Sequence, residues 1–348
     1  PATEPDAARD GAVEEPQDMT EPLPLRRRRL LQGALAAPLL PALARPALAQ
    51  GAWPSRTVRV IVPFTPGGSN DAVARPLADH LQRRLGQAFV VENRPGAGST
   101  LGSAEVARSP ADGYTLLVTS STFATSAATQ RTPYDATGDF EGVALCATAP
   151  LLVLATRDFP ASTLAEAAAY IRANPGKVDY GSAGPGSINQ LSAELFAQRA
   201  GGLQLVHIPY RGMGPATTDL VAGTIQLLFT TVPSAAGLVR EGAVKVLGWT
   251  SEARPESGPV APTPKESGLD YSAEIWWGLL ARRGTPPEIL QRLNAIANEA
   301  LGEGRLAQYL RSEGATPATR PPGEFDAFLR QDVARWRQVA ETAQIRID

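Results

Sequence analysis

VIVPFTPGGSND, residues 60–71, is a β-branched apolar run that breaks into glycines and then into residues able to open a helix. The same order recurs in VVENRPGAGSTLG (90–102), DYGSAGPGSINQ (179–190) and VHIPYRGMGPATTD (206–219). A strand that ends in glycines just before a helix leaves unpaired backbone N–H groups. It also directs the positive end of the helix dipole at one spot. Each stretch therefore reads as part of an anion pocket. Two fall in each half of the chain beyond residue 50, which predicts two α/β lobes sharing one ligand.

Working outward, strand-like and helix-like segments alternate from residue 57 onward, the pattern of a parallel α/β fold. Residues 58–62 form a strand. The helix over 71–85 sets Val73, Leu77, Leu81 and Leu85 on one face, with Gly86 as its stop and Pro76 as an expected kink. Strands follow at 89–92 and 114–119. The strand at 151–156 leaves the first lobe, and Thr163-Leu-Ala-Glu166 is a capping box that opens the next helix. Further strands are expected at 178–180, 205–208, 225–230 and 244–250, with helices near 189–200 and 216–222. Residues 251–273 read as a long Pro/Ser/Gly loop. The strand at 275–282 returns to the first lobe, and Thr285-Pro286-Pro287-Glu288 reads as a cap, N1 proline and N3 acid. Three helices then follow, to about 301, over 305–313 and over 324–343. The first lobe is thus 53–152 plus 275–348, with 153–274 inserted as the second. Two crossovers make a hinge, and clefts between lobes are favoured ligand sites.

The chain has 348 residues, 43% of them hydrophobic, enough for two ordinary cores. Its formal charge is −2, and beyond residue 49 it carries 27 basic against 28 acidic residues. A near-neutral body argues against nucleic acid or an anionic membrane as partner. Residues 1–49 read as an N-terminal extension and signal. Arg26 to Arg29 lead into the apolar run 30–43, and an A-x-A ending predicts cleavage after Ala49. The arginines also fit a twin-arginine signal, and Met19 is a candidate start. A transmembrane anchor fits poorly, because Pro38, Pro41, Arg45 and Pro46 interrupt the stretch. The single cysteine, Cys146, allows no internal disulfide and reads as a small buried residue.

At its glycine loops the chain resembles the periplasmic solute receptors of tripartite tricarboxylate transporters, the Bug family. The matching strings span everything after the signal, in order. They are Trp53-Pro54 with PFTPGGSND, NRPGAGSTLG, PADGYTLL (110–117), PYDATGDFEGVAL (133–145), LAEAAAYIRANPGKVDYGS (164–182), HIPYRGMGPATTDLVAG (207–223), WWGLLARRGTPPEIL (276–290) and a final IRID. The resemblance implies a two-lobe periplasmic binding protein of type II-like fold, each lobe a mixed or parallel sheet flanked by helices, with a hinge of crossing strands. It implies a monomer without cofactor or catalysis that closes on a small carboxylate and delivers it to inner-membrane permease subunits. Carried over residue by residue, the ligand-binding positions are Phe64, Thr65, Gly67, Gly68 and Asp71 in the first loop, and Ala97, Gly98 and Ser99 in the second. The second lobe adds Ser182, Gly184, Gly186, Ser187, Tyr210, Arg211 and Gly212. The chain departs from the family pattern at 123–126 (FATS for a His-containing stretch), at Asn189-Gln190 for a helix-opening His, at Thr230 for Asp, and at Arg211 for Lys. The first and third changes are expected close to the pocket.

Several residues carry two readings. Asp71 pairs with a ligand ammonium or merely complements a helix dipole. Arg211 grips a second carboxylate or is a surface loop tip. The glycines at 96–102 lack dinucleotide spacing and follow the second strand rather than the first. Only His80 and His207 occur; His80 reads as solvent-facing and His207 as a structural hydrogen-bonder. Ser187 lies in no G-x-S-x-G elbow, so a hydrolase is a weak alternative. A ligand-sensing module for a signalling partner is the stronger one. Phe64 and Tyr210 are expected to wall the pocket, and alternation splits Trp276 and Trp277 between opposite faces, with packing the safer role for both.

Overall fold

The computed structural model of the chain describes residues 53–345 other than 253, 256 and 257. The expected signal, 1–49, lies outside the described residues. In chain order the first elements are β1 (Val58–Val62), α1 (Ser69–Leu85), β2 (Phe89–Asn93), α2 (Thr100–Ala107), β3 (Thr115–Ser120), α3 (Thr122–Thr129) and β4 (Phe140–Pro150). Next come β5 (Leu152–Thr156), α4 (Leu164–Ala173), β6 (Asp179–Ser182), α5 (Ile188–Arg199), β7 (Val206–Pro209), α6 (Met213–Ala222), β8 (Leu227–Thr230), α7 (Val232–Arg240) and β9 (Val244–Trp249). The chain ends through β10 (Glu274–Arg282), α8 (Pro287–Gly302), α9 (Gly304–Ser312), β11 (Thr316–Pro317) and α10 (Pro322–Thr342).

The strands form two sheets, ordered β11-β4-β10-β3-β1-β2 and β7-β6-β8-β5-β9, and the described residues hold together as one unit. In the first sheet β1 runs parallel to β2 and β3, and the returning β10 runs antiparallel between β3 and β4. In the second sheet β6 is parallel to β7 and β8, and β5 is antiparallel to β8 and β9. Both sheets are thus mixed and flanked by helices, as expected. The chain crosses between them twice, at 150–152 and at 249–274. The crossings are stitched together by buried Thr250. Its N–H donates to the Leu151 carbonyl (3.0 Å) and its carbonyl accepts from Ala273 N–H (2.6 Å). Its hydroxyl accepts from Leu151 N–H (2.7 Å) and faces the Ala273 carbonyl (2.7 Å).

The expected α1 periodicity holds, with Val73, Leu77 and Leu81 buried, and the helix continues through Pro76. At α4 the Thr163 hydroxyl accepts from Glu166 N–H (3.2 Å), but the Glu166 carboxylate accepts from Ser162 N–H (2.7 Å) rather than from the cap residue's own. Helix α8 begins one residue later than expected, with Pro286 rather than Thr285 at its cap. The Thr285 hydroxyl turns back onto the Arg282 carbonyl (2.7 Å), leaving Pro286 at the cap position. His80 is half-buried rather than solvent-facing, 3.6 Å from the Glu299 carboxylate of α8. The tryptophan pair takes the packing role. Trp276 and Trp277 are both fully buried, because β10 is interior to a sheet covered on both faces. The Trp276 indole N–H donates to Asp332 of α10 (2.7 Å). Cys146 is buried, and burial pushes its thiol up to about 12.

Candidate functional site

The parallel strands β1, β3, β6 and β8 each hand their C-terminal ends to a helix, and those helices begin around one cleft between the two sheets. The cleft encloses about 590 Å³. It is lined by the starts of five helices: Ser69 and Asn70 of α1, Thr122 of α3, Ile188 and Asn189 of α5, Met213 and Gly214 of α6, and Pro233 and Ser234 of α7. The cap residues of α1, α3, α6 and α7 place no side-chain bond on the first-turn N–H groups. Uncapped helix starts at the carboxyl ends of parallel strands form an anion-attracting surface. Each adds about 0.3–1 kcal/mol toward a nearby negative charge. Three buried polar atoms in the lining, Asn70 Oδ1, Thr230 Oγ1 and Glu313 Oε2, have no hydrogen-bond partner among the described residues. A second cavity, of about 650 Å³, opens between α3 and the end of α10 and touches none of the four glycine loops.

Six of the residues singled out in the sequence line this cleft: Phe64, Thr65, Gly67, Gly68, Arg211 and Gly212. Arg211 is exposed at the lip. The other nine are not part of this lining: Asp71, Ser99, Ser182, Gly186 and Ser187 are buried, Gly98, Gly184 and Tyr210 are half-buried, and Ala97 is exposed. Asp71 is buried, its carboxylate accepting from Gly67 N–H (3.1 Å), Arg75 Nε (2.8 Å) and Asn93 Nδ2 (3.0 Å). Burial pushes this carboxyl up, but those three donors outweigh it and leave it below the ordinary aspartate value. Asn93 also bonds the Phe64 carbonyl (3.0 Å), so Asp71 and Asn93 together brace the first loop from beneath.

In the second loop Ala97, Gly98 and Ser99 take left-handed backbone angles in succession (φ 45°, 57° and 77°). Such a run is strained for Ala and Ser. The Ser126 hydroxyl holds the Gly98 carbonyl (2.6 Å). A Cβ on Gly98 would stand 2.9 Å from that hydroxyl and 3.7 Å from the Pro185 carbonyl, so the second loop lies directly against the third. In the third loop Ser182 is buried and exchanges bonds with Gly184 through both its N–H and carbonyl (3.1 Å each). Gly186 N–H donates to Gln190 Oε1 (2.8 Å), and Ser187 caps α5 by accepting from Gln190 N–H (3.4 Å). Their neighbours Ala183, Ile188 and Asn189 form the lining instead. Tyr210 turns away from the cleft, donating to Asp219 (2.6 Å) and packing on the apolar cluster of the second sheet.

Ser182 and His207 meet at 2.6 Å, the spacing of a nucleophile and its base. The surroundings give the pair another role. Ser182 Oγ is enclosed and engaged by Gly184, and His207 stacks on Tyr180 with ring centres 5.0 Å apart. Burial lowers His207 to about 4, so it stays neutral and anchors the third loop. Among the described residues no group of three or more His, Cys, Asp or Glu side chains could hold a metal, and no helix is long and apolar enough to cross a membrane.

Sequence reasoning missed part of the lining. The starts of α3 and α7 did carry signals, a Ser-Ser-Thr cluster after β3 and Thr231 followed by Pro233. Of the two family departures expected near the pocket, Thr230 lines the cleft, whereas Phe123 is buried and stacked on Tyr134 (5.7 Å). Tyr309 and Glu313, arriving from α9, had no local signal at all.

The family model for the tripartite tricarboxylate transporter family receptor matches residues 73–345. Protein BugT of Bordetella pertussis is 35% identical over 291 residues, covering 82% of this chain and 89% of BugT. The solved structure of R. palustris Rpa4515 with adipate is similar at TM-score 0.77 and 34% identity, covering 84% of this chain and all but 1% of that one (99%). The periplasmic binding protein BugD is similar at TM-score 0.75 and 32% identity, with 84% and 99% covered.

Proposed function

This chain belongs to the tripartite tricarboxylate transporter receptor family and is a solute-binding receptor of the Bug type, and we propose that it captures a small carboxylate in the cleft between its two sheets. The observation that carries the ligand class is the convergence of five helix starts, four without side-chain caps, on one cavity. Adipate in the R. palustris relative supports the same class. In this reading 53–152 with 275–348 form one lobe and 153–274 the other, and the Thr250 crossings are the hinge. The first-loop residues Thr65, Gly67 and Gly68 and the second-lobe residues Arg211 and Gly212 contact the ligand from opposite sides. Ala97–Ser99 and the Ser182–Ser187 loop join as the lobes close. Asp71 and Tyr210 act by shaping loops rather than by touch.

Function then follows from differential binding. A ligand that bridges both lobes stabilises the closed form over the open one, and a permease reads that closed shape. The receptor does no chemistry on its ligand, needs no cofactor, works as a monomer in the periplasm and delivers to inner-membrane permease subunits. BugD, a periplasmic binding protein, supports the location.

The test is thermal unfolding of the full chain, first denatured and refolded to strip carried-over ligand, against mono-, di- and tricarboxylates and their neutral amides. Ligand at 100 times its dissociation constant adds about 2.7 kcal/mol, or about 4 °C for a unit of this size. A rise with an acid and none with its amide is expected. No rise with any acid would overturn the reading.

A further inference from the structure

Two charged side chains line the cleft among the described residues, Arg211 from the second sheet's side and Glu313 from the first. Arg211 is exposed, but Glu313, directly after α9, is only 1% exposed. A buried carboxyl at the wall of a cleft otherwise built from donors requires an explanation. Tyr309, one turn earlier on α9, donates its hydroxyl to Glu313 Oε1. Oε2 has no hydrogen-bond partner of ordinary geometry among the described residues. The Thr231 hydroxyl beside it sits 3.2 Å from Ser234 Oγ.

Among the described residues, no charged side chain of α1, α8 or β11, which pack on α9, of α7, or Arg211 is a resolved influence on this carboxyl. The influences on it are burial, which raises it, and Tyr309 and Thr231, which lower it. Burial wins, and the group sits at about 7 rather than in the usual carboxylate range. With Oε1 already accepting from Tyr309, the proton resides on Oε2, the oxygen without a partner. A buried O–H without an acceptor is as unfavourable as any unmet donor. Helix N–H groups and Arg211 are likewise donors, and the Thr231 hydroxyl beside the carboxyl is shared with Ser234, so a ligand carboxylate is the stronger acceptor for this proton.

We propose that Glu313 is the specificity-determining residue of the cleft: as a neutral acid it donates from Oε2 to a second carboxylate of the ligand, so that a dicarboxylate is held by the helix starts at one end and by a proton shared with Glu313 at the other. This rests on the receptor reading and names the ligand class within it. The O–H stays formally on Glu313, and no bond other than the hydrogen bond forms. An ionised Glu313 would instead repel the second carboxylate. Dicarboxylate affinity should therefore fall about tenfold between pH 6 and pH 8, following the neutral fraction of a group at about 7.

The experiment is isothermal titration of the refolded full chain with straight-chain α,ω-dicarboxylates of four to eight carbons and with monocarboxylates of equal length, at pH 6 and pH 8. Runs at pH 8 in two buffers of different ionisation heat count the protons taken up. We expect the best dicarboxylate to bind about tenfold tighter at pH 6, with proton uptake approaching one at pH 8, while monocarboxylate affinity does not change with pH. Glu313→Gln keeps a neutral donor and an acceptor for Tyr309, so it should bind equally at both pH values without proton uptake. Should that variant fail to fold, Tyr309→Phe serves: loss of the hydroxyl that favours the ionised form should move the pH midpoint upward. A pH-independent dicarboxylate affinity in the wild type, or monocarboxylates bound as tightly as dicarboxylates, would overturn the assignment alone. The same pH slope in Glu313→Gln would do so too. If no acid binds any of these proteins, the receptor reading fails and the assignment with it.

Discussion

Replacing Thr250 by Val tests what holds the two crossings together. The substitution preserves shape and β-branching, so it opens no cavity, and its effect is almost purely that of the hydroxyl. In the wild type that hydroxyl accepts from Leu151 N–H (2.7 Å) and faces the Ala273 carbonyl (2.7 Å), one group on each crossing, in a fully buried position. Val leaves a buried N–H without a partner and takes a donor from a buried carbonyl. Each such loss costs about 1–3 kcal/mol, giving about 3 kcal/mol for the pair after partial relaxation. A unit of about 300 residues unfolds with an entropy near 0.6 kcal/mol/K, so Tm should fall by about 5 °C. Differential scanning calorimetry of wild type, Thr250→Val and Thr250→Ser reads this directly. The serine variant retains the hydroxyl and should recover most of the loss. A valine variant melting within about 1 °C of wild type would refute the reasoning, because the crossings would then be held by backbone bonds alone. A serine variant as unstable as the valine one would shift the weight to packing of the methyl group.

Gly142 tests the packing of α10 on the first sheet: a Cβ there would stand 2.7–2.9 Å from Phe325, whose ring covers the strand. Gly142→Ala should cost about 1–3 kcal/mol, seen in urea titration as a lower midpoint at unchanged slope. Asp332 is raised to about 6, chiefly by burial, against 3.8 ordinarily. The folded state therefore holds the proton more tightly, and stability is lost as pH rises from about 4 through 6. Asp332→Asn, which still accepts from the Trp276 indole, should be more stable than wild type by about 2–3 kcal/mol at pH 8 and equal to it near pH 4 in chemical denaturation. His207 has the opposite sense. Its folded value of about 4 lies below the ordinary 6.5, so its contribution is complete above 6.5 and lost as pH falls toward 4. Wild-type Tm should drop more steeply over that interval than that of His207→Gln.

What could be read in advance, and what could not, divides along the range of the forces involved. The four glycine loops were visible because a strand end, a glycine and a helix start are neighbours in sequence, and local geometry alone demands glycine at positions such as Gly98 (φ 57°) and Gly212 (φ 103°). Which of these loops would face the cavity was not visible. Asp71 and Tyr210 lie within three residues of a loop glycine, as Thr65 and Arg211 do, yet Asn93 and Asp219, distant in the pattern, draw them away from the cleft. Alternation places Trp276 and Trp277 on opposite faces, but that both faces are covered depends on β10 lying between β3 and β4 once the chain has crossed back from the second sheet. Glu313 is the extreme case. In sequence it is one more acid before a helix-stopping glycine, in a solvated-looking Arg-Ser-Glu-Gly. Its burial depends on α9 packing against α1 and α8, and its place at the cleft on Thr231 arriving from the other sheet. A charge-bearing residue in such a position gains its character wholly from tertiary desolvation. The general carboxylate affinity of the cleft can therefore be written in short loops, while the choice among carboxylates falls to side chains that the loops do not contain.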